Sequence, residues 1–361
     1  MSGQITGQTT GRMTGGRGGG KRWGSISRLV LLGAIWGSSF LWIKIALRGF
    51  SPIEVALVRV TLGALVLLAF TRARRVPLPR GIGTWGHLTA AAFFQNALPY
   101  ALFAFGEQHV DSSVAGVVNA TTPLWTMLLA VLVGTGTRLG AAQVFGLFLG
   151  FGGVLLILAP WQSGGAFGTG AALIVVAAFS YAVSYMYIDR FVAGRGLDPV
   201  AMCGAQLAAA AAMLAVVLPF SGVFGSSGGI AVTPRADAFA AVAVLGVLGT
   251  GVAVWLNYRL LVDDGPAVAS TVTYLMPPVS VLLGALALDE PFGARMAVGI
   301  AIVLGGIALT RRRGEAAAAA GDENAASAAE AAGAAVPAPT PEAADWSEGA
   351  PVVSGVVRRH A

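Results

Sequence analysis

Two cations stand inside otherwise apolar stretches of the sequence, Lys44 and Arg59, and the short Arg48 to Ser51 connection between them is followed at once by Glu54. An ionisable group within a bilayer costs on the order of 3 kcal/mol or more unless it is paired or wetted, so each of the two cations needs a reason to be there. For Lys44 the residues leave two readings. It snorkels to the interface or locks the hairpin by pairing with Glu54, or Lys44 and Glu54 together form a gate or coupling pair. Arg59 lies deeper, about two turns into its helix, and is either architectural or the group that orients a substrate carboxylate or phosphate with its planar fork.

A second set of polar residues sits beside prolines that interrupt apolar runs: Gln95 and Asn96 before Pro99; Asn119, Thr121 and Thr122 before Pro123; Thr271, Thr273 and Tyr274 before Pro277 and Pro278. Proline removes a backbone donor and frees a carbonyl one turn earlier, so polar groups gather where a membrane helix is loosened. These residues either line a binding site near the midplane or hydrogen-bond between helices. Trp36 and Trp125 add flat walls for a cavity, or plain packing. Ser180, Tyr181, Ser184 and Tyr185 share one helical face, which is a cavity face or an interfacial tyrosine pair. Pairs such as Gly152 with Gly153 and Gly305 with Gly306 read as packing seams between helices.

The elements that must position these groups are membrane helices. Of 361 residues, 56% are hydrophobic and 11% charged, whereas soluble domains carry roughly 25% charged residues. A bilayer core requires roughly 20 apolar residues per helix, and the sequence predicts ten spans: Leu29 to Leu47, Pro52 to Phe70, Trp85 to Phe105, Ser112 to Gly134, Ala141 to Ala159, Gly170 to Ile188, Pro199 to Leu218, Ala238 to Tyr258, Ala267 to Leu288 and Ala294 to Thr310. When the connections are assigned alternately to two sides, one side collects Lys21, Arg22, Arg28, Arg72 to Arg80, Arg138, Arg190, Arg195, Arg259 and Arg311 to Arg313. The other holds Arg48, Arg235 and Arg295. The positive-inside rule then places both termini in the cytoplasm and the protein in the cell (inner or plasma) membrane as a multi-pass chain.

Residues 113–158 reappear in outline at 267–309, with Pro123 in register with Pro277, and with Gly146, Gly152 and Gly153 opposite Gly299, Gly305 and Gly306 after one gap. Five spans per half force the halves to insert with opposite orientation, which is the inverted-repeat build of secondary carriers. The expected fold is therefore all-α, with ten transmembrane helices as two inverted five-helix repeats. The organisation is a disordered cytoplasmic segment 1–28, a first repeat 29–159, an external linker 160–169, a second repeat 170–310 and a disordered, Ala-, Glu- and Pro-rich tail 311–361.

Other classes fit less well. The basic residues lie between apolar segments rather than on a soluble face, so nucleic acid is not an expected partner. The single cysteine, Cys203, supports neither a disulfide framework nor a thiolate cluster, and no metal or cofactor is expected. The apolar run after Arg22 is too long for a signal peptide and lacks a cleavage site. A membrane-embedded enzyme or a non-transport membrane protein is the alternative class, but no HExxH, paired carboxylates, Ser/His/Asp set or phosphate loop is legible. A channel would ordinarily present a ring-forming filter.

The stretch Gly33 to Phe40 (Gly-Ala-Ile-Trp-Gly-Ser-Ser-Phe), then Lys44, Pro52 and Arg59, then the Pro123 and Pro277 helices, each followed by a Gly-rich span, resemble the EamA-type transporters of the drug/metabolite transporter superfamily. The resemblance covers about residues 29 to 310. It implies transport of small polar metabolites, commonly amino acids or related compounds, often outward and often in exchange for protons. Two positions depart from the family pattern. Asp289-Glu290-Pro291 supplies the family's turn before the last helix, where the first half has Gly136, and Gln206 stands opposite Arg59 when Pro199 is aligned with Pro52. The expectation is a carrier working by alternating access, with a small polar metabolite as substrate, the lipid bilayer as surroundings and proton or counter-substrate coupling left open. A homodimer through the fifth and tenth helices is also left open. Glu54 is the one carboxylate inside a span as drawn, so coupling rests on Glu54, on Lys44, or on neither.

Overall fold

The computed structural model describes residues 18–134, 140–159, 168–224, 233 and 235–309; the side chains of 18–23, 222–224, 264–268 and 270 are not described. The expected loop at Gly136, most of the 160–169 linker and the tail lie outside the described residues. Helices α1 (Gly24–Ala46), α2 (Pro52–Ala73), α3 (Ile82–Gly106), α4 (Ser112–Leu132), α5 (Ala141–Leu158), α6 (Thr169–Phe191), α7 (Pro199–Ser221) and α8 (Ala236–Asp263) are long and apolar enough to cross a membrane, and α9 (Val272–Ala287) and α10 (Ala294–Leu309) are shorter apolar helices. Together they make a ten-helix, all-α membrane protein.

Two boundaries differ from the sequence reading. The helix that carries the α1 span extends back to Gly18, ahead of Leu29 and inside the segment expected to be disordered. Hydropathy marks where a helix enters lipid and not where it starts, and Arg28 fastens this end by donating to the Gly24 carbonyl and pairing with Asp263. The helix of α8 continues to Ser270, so α9 starts at Val272 rather than Ala267. Small apolar residues in that connection extended the apparent span.

The two halves interleave. Neighbouring pairs include α1 with α9, α4 with α6, α1 with α8, α3 with α6, α2 with α7 and α4 with α9. Exchanging each helix for its counterpart five places on reproduces this set: α1–α9 becomes α6–α4, α1–α8 becomes α6–α3, and α2–α7 and α4–α9 map onto themselves. Glycine permits the closest approaches. A Cβ on Gly37 would meet Val279 Cβ at 2.6 Å, so α9 lies directly in a groove of α1. A Cβ on Gly153 would meet the Gly299 carbonyl at 2.9 Å, and one on Gly306 would meet the Gly150 amide at 2.6 Å, so the α5 and α10 glycines pack against each other within the chain. Large apolar side chains such as Phe148 and Leu286 point outward, about three-quarters exposed, as a lipid-facing surface requires.

Two helices carry a π-helical turn, Phe93–Ala97 in α3 and Val247–Val252 in α8, and these helices are counterparts under the same exchange. In α3 the cause is Pro99, which cannot donate to the ladder. No proline accompanies the α8 turn; its backbone is loosened by Gly249 and Gly251 on either side of Thr250. In α4 the helix breaks at Ala120 and Thr121, just before Pro123, whereas α9 runs unbroken through Pro277 and Pro278.

Candidate functional site

Arg59 enters the bundle from α2 and is 8% exposed. Its Nε donates to Thr250 Oγ1 at 3.0 Å, and its guanidinium carbon lies 3.8 Å from the centre of the Tyr100 ring. The π-turn of α8 creates this partner. Thr250 donates its own proton to the Leu245 carbonyl at 3.1 Å, which turns an oxygen lone pair toward Arg59. Among the described residues no carboxylate forms an ion pair with this guanidinium. A delocalised positive charge is thus held by a hydroxyl and an aromatic face, which orient it without neutralising it.

The corresponding π-turn of α3 is stabilised from α6, where Ser180 donates to the Phe94 carbonyl at 2.8 Å. Buried polar atoms that find no hydrogen-bond partner among the described residues include Gln95 Oε1 on α3, Asn119 Oδ1 on α4, Ser184 Oγ on α6 and Gln206 Nε2 on α7. Buried polar groups are ordinarily satisfied, so each of these exceptions is an atom that a polar ligand can satisfy. Asn96 is buried within the same turn. Tyr181 packs beside Phe103, and Tyr185 lies within side-chain hydrogen-bonding reach of Gln95 while remaining half exposed.

Other expected residues fall elsewhere or face local partners. Thr122 donates to the Asn119 carbonyl at 2.7 Å, closing the break in α4. The Trp125 ring stands edge-on to Phe151 and Phe179, at 4.6 and 5.7 Å between centres, which makes it part of an aromatic cluster joining α4, α5 and α6. Trp36 and Tyr274 pack against the main apolar core. Thr273 is half-buried on α9, Pro277 is buried and Pro278 is exposed.

The structure does not bring Lys44 to Glu54. Glu54 instead completes a capping box at the start of α2, accepting from the Ser51 amide at 2.7 Å while its own amide donates to Ser51 Oγ. The Lys44 ammonium donates to the carbonyls of Glu107 and Val110, both at 2.6 Å, and so grips the C-terminal end of α3, where a helix favours a cation.

Five residues further on, Glu290 from the α9–α10 turn accepts from the Ser112 amide at 2.7 Å, from the Ser113 amide at 3.0 Å, and from the Ser113 hydroxyl. An acidic side chain from the second half of the chain therefore caps the N-terminus of α4 in the first, the position at which Asp111 makes no side-chain cap. One turn, 107–111, is clamped by a cation from α1 and an anion from the opposite half. The same end of the bundle is drawn together elsewhere. Thr233 donates to the Gly49 carbonyl, and the Phe50 and Phe239 rings meet edge-on at 4.9 Å. In the orientation expected from the charge distribution of the connections, this end faces outward.

Within this clamp Glu107 is fully buried, and neither carboxylate oxygen has a hydrogen-bond partner among the described residues. Burial pushes its carboxyl well above the usual carboxylate range; Lys44 opposes the rise, Glu290 adds to it and Arg59 opposes it. Burial, reinforced by Glu290 and opposed by Lys44, also raises Asp111. Sequence reasoning missed Thr250, Tyr100, Glu107 and the capping role of Glu290. Gly-Thr-Gly at 249–251 was a readable sign of a loosened helix, but Glu107 sits just past a span end, where a carboxylate ordinarily faces water. Among the described residues no three His, Cys, Asp or Glu side chains are grouped as a metal site requires.

The model of the EamA-like transporter family matches the chain twice, over residues 24–159 and 168–312. The uncharacterized inner membrane transporter YedA of Escherichia coli K12 is 30% identical over 269 residues, covering 71% of this chain and 80% of that protein. The uncharacterized protein PA1977 of Pseudomonas aeruginosa is 32% identical over 249 residues, with coverage of 68% and 79%. A chloroplastic WAT1-related protein of Arabidopsis thaliana is 26% identical, covering 74% of this chain and 65% of its own. A crystal structure at 22% identity, spanning 80% of this chain and 98% of its own, superposes with a TM-score of 0.57, a likeness of fold.

Proposed function

Because the chain belongs to the EamA-like transporter family, and is thus a multi-pass membrane transporter, we propose that it carries a small polar metabolite bearing an anionic group outward across the cell membrane, by alternating access between two inverted halves. The observation that carries this reading is the Arg59 guanidinium, buried, oriented by Thr250 and Tyr100 and paired with no described carboxylate. A carboxylate or phosphate would complete it with two parallel charge-assisted hydrogen bonds. The unpartnered polar atoms of Gln95, Asn119, Ser184 and Gln206 supply neutral donors and acceptors for the rest of an amino-acid-sized ligand. Asn96, Thr122, Tyr181, Tyr185, Thr273 and Tyr274, with Trp36 and Trp125 behind them, form the surrounding walls in this reading. Lys44 serves as part of the outer gate, both termini face the cytoplasm, and the chain acts as a carrier rather than an enzyme.

The test is flux of labelled amino acids and related anionic metabolites in sealed proteoliposomes. Saturable flux in the wild-type chain, lost in R59A while the variant retains its thermal stability, is the expected result. Saturable flux undiminished in R59A would overturn the assignment of Arg59, and no flux across the panel would overturn the substrate class.

A further inference from the structure

Glu107 takes no part in binding as described, yet it is the most isolated acid among the described residues: fully buried, with two oxygens that no described donor reaches. The nearest cation is committed elsewhere, since Lys44 directs two hydrogen bonds to the Glu107 and Val110 carbonyls. The carboxylate also follows the C-terminal end of α3, where the helix dipole disfavours negative charge. The charged and titratable groups around it are Lys44 on α1, Arg48 in the turn that follows α1, Arg59 on α2, His109 and Asp111 in its own turn, and Glu290 from the α9–α10 turn. On the α6 side, a Cβ on the adjacent Gly106 would first meet Ile174 and the Gly170 carbonyl, which carry no charge. An ionised carboxylate here would lack both hydrogen bonds and water, and the neutral acid avoids that penalty. A cavity of about 290 Å³ lined by Lys44, Leu47, Arg48, Glu107 and Gln108 lies against the turn, so loosening the clamp would bring water to the acid.

We infer that Glu107 is a proton site built into the outer gate: closing the gate takes up one proton on the Glu107 carboxylate, and opening the gate releases it to water. The ligand is a proton, bound as the carboxylic O–H; no other bond forms or breaks. The inference rests on the carrier reading for the meaning of opening, but not on Arg59 or on any substrate.

Two substrate-free measurements on the full chain in liposomes test it. The first is infrared titration of the carbonyl stretch of protonated carboxylic acids. Wild type is expected to keep such a band well above the pH at which exposed carboxylates ionise, and the band is expected to be absent from E107Q and present in D111N. A wild-type band that titrates like an exposed acid, or that vanishes in D111N instead, overturns the proposal even if E107Q fails to fold.

The second uses S112C in a C203S background, because Ser112 is fully buried at the gate and its hydroxyl has no described partner. Labelling by an external, membrane-impermeant maleimide, corrected for thiolate fraction with a model thiol, is expected to rise about tenfold per pH unit over the titration range. Adding E107Q should abolish that dependence, and an unchanged pH dependence refutes the gate role. Loss of substrate flux with the acid band and labelling intact would count against the carrier reading alone.

Discussion

At Arg59 the charge and the shape of the guanidinium separate cleanly, because Nε is fixed by Thr250 while the face rests on Tyr100. Lysine would keep a positive charge but lose the planar fork. R59K is therefore expected to retain measurable flux with a raised KM, while R59A loses about a hundredfold or more, the equivalent of about 3 kcal/mol for two charge-assisted bonds. T250V should raise KM while leaving the chain folded, since it removes the hydroxyl that aims the guanidinium and conserves volume apart from the polar group. A proteoliposome flux assay across the three variants checks this order. If T250V transports like wild type, the π-turn of α8 does not position the cation.

At the scale of elements, the clamp on the 107–111 turn depends on how near α9 comes to α4. A Cβ on Gly284 would collide with the Glu290 carboxylate and the Ser113 hydroxyl, and a Cβ on Gly116 with the Ser280 hydroxyl. G284A should therefore displace Glu290, the flexible member, and cost the α4 cap about 1.5 to 3 kcal/mol. The checking measurement is S112C labelling from outside, expected to increase roughly tenfold or more in G284A and to change in the same direction in E290Q. At the opposite end Arg28 on α1 pairs with Asp263 on α8 at 2.5 Å, joining the two halves there as well. If that pair restrains inner opening, R28D should increase labelling of a cysteine placed near it from the inner side, and the exchange R28D with D263R should restore the wild-type value.

For the whole molecule the balance between the outer-closed and outer-open forms turns on one acid in the inferred gate. Glu107 binds its proton more tightly when buried than when wetted, so the outer-closed form holds more protons than the open one over the interval between the ordinary carboxylate pKa and the raised one. Below that interval both forms are protonated and pH has no effect on the balance. As pH rises through it, the closed form loses stability relative to the open form by about 1.4 kcal/mol per unit for one proton. External alkalinity should thus open the gate. External acidity should hold it closed, and E107Q should flatten the response.

The ten-helix count, the order of the spans and the relation between the halves were legible in the sequence because each follows from chain-local quantities: an apolar run as long as a bilayer is thick, charges that alternate by connection, and prolines and glycines that recur in register. Lys44 and Arg59 were legible for the same reason, since a charge in an apolar run is conspicuous wherever it points. Their partners were not. Glu54 lay near Lys44 in sequence and depth, yet its carboxylate is taken by the capping box of its own helix, and Lys44 reaches instead to carbonyls on α3. Thr250 meets Arg59 across 191 positions, and Glu290 caps α4 across 178. Such pairings depend on which faces two antiparallel halves present when they interleave. Glu107 shows the difference most plainly: by position it follows a span and belongs in water, and only the closing of α1, α4 and the α9–α10 turn around it makes it a buried acid.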